Sequence, residues 1–399
     1  MSNKLTKISA VIEEISMGPF GSDIKVENFV SQGVPVLNGS NLTSFKLVED
    51  TFKYVTPEKA KTFKKAIARR GDIVITHRGT LGQISYIPKD SLFDEYVISQ
   101  SQFRVSLNKN LVDPSFFVYY FHTSEGQKRL LANKCHVGVP ALAQATTNFR
   151  LIEIPLPSLA TQQKIASVLT ALNAKIELNN RINTELEAMA KTLYDYWFVQ
   201  FDFPNEAGKP YKSSGGTMVW NEELKREIPE GWEVKELWEV IEIKYGKDHK
   251  HLNFGSIPVF GSGGIMRYAD KALYDYESIL IPRKGTLSNL FYLNKPFWSV
   301  DTMFFSKMKI VHIGKFLFYF LHSLNLASLN AGTAVPSLTT EILNKLKIVI
   351  PSSNILKKFD TVLTPAFEMK EQVTKENQQL SELRDWLLPM LMNGQVKVQ

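Results

Sequence analysis

Short apolar, β-branched runs alternate with dense turn punctuation along residues 1–157. Ile73-Val74-Ile75 and Tyr96-Val97-Ile98 lie among Gly18-Pro19-Phe20-Gly21-Ser22, Gly33-Val34-Pro35, Asn38-Gly39-Ser40-Asn41 and Arg78-Gly79-Thr80. Runs this short between glycine, proline and asparagine clusters predict strands joined by tight turns. Helical spacing interrupts them over residues 57–69 and 114–131. The first stretch carries Lys59, Lys61, Lys64, Lys65, Arg69 and Arg70, a basic helix whose charged side is either solvated or faces phosphate. The second includes the aromatic run 116–121, which reads as core. Strands and helices in non-alternating order predict an α+β domain.

After Ile154-Pro155 the period changes. Ile165, Leu169, Leu172, Ile176, Leu186, Ala190, Leu193 and Trp197 recur in steps of four and three, with Asn179 and Asn183 in the same seam. That spacing predicts a long helix with a coiled-coil face, opening near Ala160. A second seam, opening near Asn354, runs through Phe359, Leu363, Ala366, Val373, Leu380, Leu387 and Leu391. Set antiparallel, one register pairs Ile165 with Leu391, Leu169 with Leu387, Leu193 with Leu363 and Trp197 with Phe359. It also sets Asn179 opposite Asn377, where two amides can hydrogen-bond and fix the register at some cost in stability. Lys370 against Leu186 and Arg384 against Leu172 have to snorkel, and Pro365 predicts a kink or a restart. The competing reading is two amphipathic helices, each packed on its own domain.

The second half of the chain repeats the first. Residues 71–81, ending Ile75-Thr76-His77-Arg78-Gly79-Thr80-Leu81, recur at 276–287 as Ile281-Pro282-Arg283-Lys284-Gly285-Thr286-Leu287. Val139-Pro140-Ala141-Leu142 recurs as Val335-Pro336-Ser337-Leu338, Ile154-Pro155 as Ile350-Pro351, and Val11-Ile12-Glu13 as Val240-Ile241-Glu242. A period of roughly 200 residues is far beyond that of a solenoid. It implies a duplicated module: a first domain at 1–157, a helix at 158–200, a linker and second domain at 201–350, and a second helix at 351–393. Residues 203–216, with Pro204, Pro210, Ser213-Ser214 and Gly215-Gly216, read as the linker. The fold expected is α+β, two similar domains separated by two long helices in an antiparallel coiled coil. Loop lengths and sequences differ between the repeats, as two domains reading different targets require.

Composition narrows the function. The 399 residues are 44% hydrophobic and 22% charged, ordinary for a globular protein with real cores. Cys135 is the one cysteine, so an internal disulfide and a zinc ribbon are excluded. Met1-Ser2-Asn3-Lys4 lacks the apolar core of a secretory signal, and residues 310–329 are broken by polar groups and read as a buried helix. A cytoplasmic location with no membrane association is expected. The net charge of +7 permits nucleic-acid binding without establishing it. No Asn/Asp-Pro-Pro-aromatic motif, dinucleotide loop or P-loop is present. Gly261-Ser262-Gly263-Gly264 reads as a turn, and His249 and His251 lack further ligands at metal-site spacing. The isolated chain is expected to catalyse nothing and to hold no cofactor.

Gly18-Pro19-Phe20-Gly21-Ser22, Gly71-Asp72-Ile73-Val74, Ile154-Pro155-Leu156-Pro157 with Gln162-Gln163-Lys164-Ile165-Ala166, and Ile228-Pro229-Glu230-Gly231-Trp232 occur in this order around the duplication. In this the chain resembles the specificity subunits of bacterial type I restriction–modification systems over nearly its whole length. The resemblance implies two target-recognition domains, each reading half of a split double-stranded DNA target. It implies helices that act as a ruler and dock two methyltransferase (modification) subunits, which restriction motor-nuclease subunits join. S-adenosylmethionine, ATP and Mg would then belong to those partners. The second half departs from the pattern: Pro351-Ser352-Ser353-Asn354 lacks the Gln-Gln-Lys-Ile run, and Tyr276-Glu277-Ser278 replaces Gly-Asp.

Base edges are read by Arg, Lys, Asn and Gln on reachable loops, and phosphates are met by Lys, Arg, Ser and Thr. His77, Arg78 and Thr80 with Gln83, and Arg283, Lys284 and Thr286 with Asn289, occupy matching turns and are the leading DNA-binding candidates. Lys247, Lys250 and His251 form a basic loop that the first repeat lacks. The competing reading of each is a surface turn with solvated cations. Two alternatives of function stand beside DNA recognition: a self-sufficient DNA methyltransferase or nuclease, and a two-headed scaffold that binds only proteins.

Overall fold

Three consecutive apolar side chains at Ile73, Val74 and Ile75 are fully buried, yet they do not share one core. Ile73 and Ile75 pack with Phe103, Phe117 and Leu169, whereas Val74 packs with Val36, Tyr96 and Ile98. Side chains alternate across a strand, so a run that is apolar throughout belongs to a strand covered on both faces. The computed structural model, which describes residues 5–135, 138–329 and 337–398, shows how. The strands are β1 (Ile12–Met17), β2 (Val34–Val36), β3 (Ile73–Thr76), β4 (Ile84–Tyr86), β5 (Glu95–Val97) and β6 (Gln102–Leu107). An antiparallel sheet runs β1-β6-β3-β4. The helix α1 (Pro114–Phe121) shares the core on one face. On the other lies a five-stranded sheet in which β2 and β5 pair in parallel. Leu5–Lys7 pairs with Glu153–Pro155 and closes the domain.

The long helix α2 (Leu159–Tyr194) follows, passing directly into a π-helical turn at Asp195–Val199. Then the plan recurs in β7 (Ile241–Tyr245), β8 (Ile257–Gly261), β9 (Ser278–Pro282), β10 (Phe291–Leu293), β11 (Trp298–Ser299) and β12 (Met303–Met308). The sheet order is β7-β12-β9-β10, β8 and β11 pair in parallel, and Glu233–Glu236 with Lys347–Ile350 closes the domain. Ile279 and Ile281 face one core and Leu280 the other, as in the first repeat. The helices α3 (Gly314–Ser323) and α4 (Ser353–Met392) complete the chain. A bulge at the Ser106/Leu107 step of the β1–β6 pairing has no counterpart between β7 and β12, which accounts for one residue of drift between the repeats.

One difference lies inside the sheets. Arg104, 4% exposed, pairs with Asp72 at 3.3 Å and Glu14 at 2.5 Å. Its hydrogen bond holds Glu14 below the usual carboxylate range, while burial pushes Asp72 up despite the same guanidinium. At the equivalent places the second repeat has Phe305 and Ser278, and Ser278 Oγ accepts from the Ser306 amide at 3.1 Å.

Several expected elements differ. Residues 57–69 are not one helix: Pro57–Lys61 is helical, Lys64–Ala66 is a 3-10 turn and Ile67–Arg69 is a strand. The basic face is dispersed with it: Arg69 pairs with Glu95, Arg70 with Asp94, and Lys59 lies over the Phe63 ring. The stretch 114–131 breaks after α1, because Thr123 caps a second helix by accepting from Gly126 N at 3.0 Å. In 310–329 the helix is confined to α3, followed by a 3-10 turn at Leu326–Leu329. Pro365 does not restart α4; the helix continues through it, with buried Phe359 and Leu363 anchoring the turn before it. The stretch 203–216 is folded: Phe203 stacks between Tyr211 at 4.6 Å and Trp232 at 4.9 Å, and Asp202 accepts from Ser213 N at 2.7 Å. Val335 and Pro336 lie outside the described residues.

The chain packs as two compact units, one of Met1–Asn179 with Lys375–Gln399 and one of Asn180–Thr374. Each long helix therefore contributes a segment to both units. Within the first, Asn173 meets Arg384 and Lys175 meets Glu376. Within the second, Asn183 meets Thr374, Glu187 meets Lys370, and Trp197 lies 5.5 Å from Phe359. Rising numbers on α2 meet falling numbers on α4, so the segments are antiparallel in the register that the seam predicts. The polar layer is a correction. Asn179, fully buried, donates from Nδ2 to Glu376 Oε2 at 2.8 Å instead of pairing with Asn377. A carboxylate accepts a stronger bond than an amide oxygen, and Glu376 can also face Lys175. Lys370 and Arg384 reach Glu187 and Asn173, and the Arg384 guanidinium covers the Phe45 ring at 5.5 Å.

Candidate nucleic-acid interface

Antiparallel pairing places the end of β1, the end of β3 and the start of β6 at one edge of the first sheet. Two loops meet there. In one, Gly18 N donates to Gln102 O at 2.9 Å, and a Cβ on Gly18 would stand 1.9 Å from the Ser99 carbonyl oxygen. Only glycine permits that approach. Phe20 follows, its N–H donating to Asp23 Oδ2 at 3.0 Å and its ring 83% exposed. In the other loop, His77 N donates to Ser101 O at 2.9 Å, and a ring nitrogen lies 3.2 Å from Gln100 O. Burial lowers the His77 pKa from its ordinary 6.5. Arg78 and Thr80 are exposed, and Leu142 N donates to His77 O at 2.9 Å, tying residues 141–142 to the turn.

The second unit rebuilds this edge on the same three backbone bonds. Gly246 N donates to Met303 O at 3.0 Å, and a Cβ there would stand 2.0 Å from the Val300 oxygen. Arg283 N donates to Thr302 O at 2.9 Å and Leu338 N to Arg283 O at 2.9 Å. The structural counterpart of His77 is thus Arg283, and that of Arg78 is Lys284. Arg283 lies over the Tyr245 ring at 5.2 Å, with Nη1 3.3 Å from Asp301 O. Lys284 and Thr286 are exposed. The basic loop is not an addition, as the sequence implies. Lys247, Lys250 and His251, all exposed, continue from Gly246 just as Pro19 and Phe20 continue from Gly18. It is fastened by Trp298 Nε1 donating to Lys247 O at 2.9 Å, and the His251 ring lies 5.7 Å from Trp298.

Two candidates are engaged within the chain. Gln83 donates from Nε2 to Gly39 O at 2.9 Å and accepts from Thr76 Oγ1 at 3.2 Å. Asn289 donates from Nδ2 to Ser262 O at 2.9 Å. Both are half-buried and brace the turn against the neighbouring loop. Phe20 and Tyr245 belong to the edge and escape motif reasoning. A signal for Phe20 existed: a large aromatic flanked by Pro19 and Gly21 has no strand or helix face to join. Among the described residues no group of three His, Cys, Asp or Glu could hold a metal ion, and no helix is long and apolar enough to cross a membrane.

Residues 22–188 and 229–381 each match the type I restriction modification DNA specificity domain. The chain belongs to this family. The two matches fall on the two repeats, each with part of the helix that follows it. Among similar proteins, the type I restriction enzyme MjaIX specificity subunit of Methanocaldococcus jannaschii is 26% identical, over 94% of this chain and 89% of that one. The HindI specificity subunit of Haemophilus influenzae is 25% identical, over 84% of this chain and 88% of its own. A crystal structure of the S subunit of a type I restriction–modification system from M. genitalium shares the fold, with a TM-score of 0.64 at 18% identity, covering 98% of this chain and 96% of that one. The chain is thus a type I specificity subunit in architecture, with two DNA specificity domains.

Proposed function

We propose that the chain recognises a bipartite double-stranded DNA target, one half per domain, and is the assembly core of a type I restriction–modification complex. One observation carries this reading: the same loop edge is built twice on the same backbone bonds, with different side chains exposed. A duplicated protein-binding head has no need to vary there while its frame is conserved to the hydrogen bond. In this reading Arg78, Thr80, Lys247, Lys250, His251, Arg283, Lys284 and Thr286 contact DNA. His77 shapes the turn that carries Arg78 and Thr80. Two methyltransferase subunits dock on the paired helices and restriction motor-nuclease subunits join them in the cytoplasm. S-adenosylmethionine, ATP and Mg are held by those subunits, and the chain itself performs no chemistry.

Methylation mapping of a host carrying the complex should give one split motif. The purified chain, or its complex, should shift a duplex with that motif in preference to a scrambled one, with affinity falling steeply as salt rises. Equal affinity for both duplexes, or none for either, overturns the proposal and leaves the protein scaffold. Retention of labelled S-adenosylmethionine by the purified chain points instead to a self-sufficient methyltransferase.

A further inference from the structure

The two loop edges share a frame but carry opposite chemistry. Beyond Gly18 the first presents Phe20 and the Asp23 carboxylate, and its turn offers one exposed cation, Arg78. Beyond Gly246 the second presents Lys247 and Lys250, and its turn adds Arg283 and Lys284, four cations against Asp248. None of these four has an ion-pair partner among the described residues. Phe20 is not a loose side chain on a loose loop. Its backbone is closed by Asp23 from both sides, through Phe20 N to Oδ2 at 3.0 Å and Asp23 N to Phe20 O at 2.9 Å. A Cβ on Gly21 would stand 2.1 Å from Gln100 Oε1, so the turn sits directly on the β5–β6 loop. A ring 83% exposed on so fixed a turn is presented to something outside the domain. Phe254, also exposed, is not its equivalent: Asn253 is tied to Asp270, at the opposite end of β8 from this edge.

An aromatic ring gains nothing from a phosphate. What it can cover on DNA is apolar base surface, either a base face at an opened step or a thymine methyl. We infer that the two domains hold their half-sites by different means: the first by laying Phe20 on base surface, the second by charge from Lys247, Lys250 and Lys284 around the Arg283–Tyr245 stack. The inference rests on the DNA-recognition reading above and says what each half of that recognition is made of. It implies that affinity for the first half-site falls less steeply with salt than affinity for the second.

The test uses the full chain and duplexes bearing its mapped motif, titrated over a range of salt. Phe20→Ala should weaken binding roughly tenfold or more, the scale of one lost base–aromatic contact, with the slope of log affinity on log salt unchanged. Phe20→Leu should restore part of the loss. The triple change Lys247→Gln, Lys250→Gln, Lys284→Gln should flatten that slope by roughly 2.7, at about 0.9 per lost phosphate contact. Both proteins should melt as the parent does, since every altered side chain is exposed. Two probes locate the Phe20 contact. A 2-aminopurine in the first half-site that brightens only with Phe20 present marks an opened step, and a loss of affinity on replacing thymine by uracil marks a methyl contact. The inference is overturned if Phe20→Ala binds as the parent does with both probes silent, or if it flattens the slope while the triple change does not. If the parent chain itself does not prefer its motif, the DNA-recognition reading fails first, and that result is separate from either.

Discussion

Arg283 is the best-prepared side chain on either edge. Its guanidinium is spread on Tyr245 and held near Asp301 O, so little of its conformational freedom remains to be lost on binding. We expect Arg283→Ala to cost about 1–3 kcal/mol at positions in one half of the target and nothing in the other, if it contacts a base pair bidentately. Arg78→Ala should act only on the opposite half. Methylation profiles over a library of variant targets measure both, and a change spread over both halves by either variant argues against independent readers. At this scale the sequence was half legible. A cation after a buried strand is visible as a pattern, and so is a glycine in a turn. That Gln83 and Asn289 brace Gly39 and Ser262 was not visible, because both bonds span loops whose pairing only the folded sheets define.

The helical elements were the most legible, since a seam repeating in fours and threes over five turns and more leaves little choice of face. Register followed from the same repeat, and Trp197 and Phe359 meet as expected. The partner of Asn179 did not follow, because a flexible carboxylate one residue away outcompetes an amide directly opposite. Asn179 Oδ1 has no hydrogen-bond partner among the described residues. Asn179→Leu removes that orphan oxygen together with the bond to Glu376, and a double-mutant cycle should find coupling between positions 179 and 376. Acid offers a second check. The Asn179 amide, with Lys175, holds the Glu376 carboxyl below its ordinary 4.5. A depressed carboxyl stabilises the fold above its unfolded value, and that contribution is lost as pH falls through the folded one. The melting-temperature gap between the parent and Glu376→Gln should accordingly be present at pH 7 and close below about pH 4.5. A gap unchanged at pH 3 refutes the assignment. The short helices end for a local reason that periodicity does not carry: Thr123 and the turn at Lys64–Ala66 stop the helix without changing the apolar count.

For the whole molecule, the duplication was the decisive signal, and it survives even where identity does not. Gly246 matches Gly18 by the bond it makes, and Phe305 stands where Arg104 stood. What could not be foreseen is that the compact units divide within the helices instead of at their ends. If α2 and α4 set the separation of the two half-sites, seven residues inserted after Asn183 and seven before Val373 lengthen the pair by about 10 Å, at ~1.5 Å per residue. That is close to three base pairs at ~3.4 Å each. The recognised spacer should grow by that amount with both half-sites unchanged, as methylation mapping reads it. An unchanged spacer means the helices do not measure it.

The helices that cross from one unit to the other also govern how such a protein can change by descent. A stretch of gene encoding the first domain alone does not encode everything that domain rests on. Tyr119 bonds Thr170 and Asn173 of α2, Lys46 reaches Glu177, and Phe45 is covered by Arg384 from the far end of the chain. A domain borrowed from a relative arrives beside both helical walls at once and must suit each. Among the described residues, no hydrogen bond or ion pair ties positions 19–21, 23 or 77–80 to either helix. Heritable novelty is therefore safest in the few positions at the loop edge, while the domain behind them is held to its inheritance by helices encoded elsewhere.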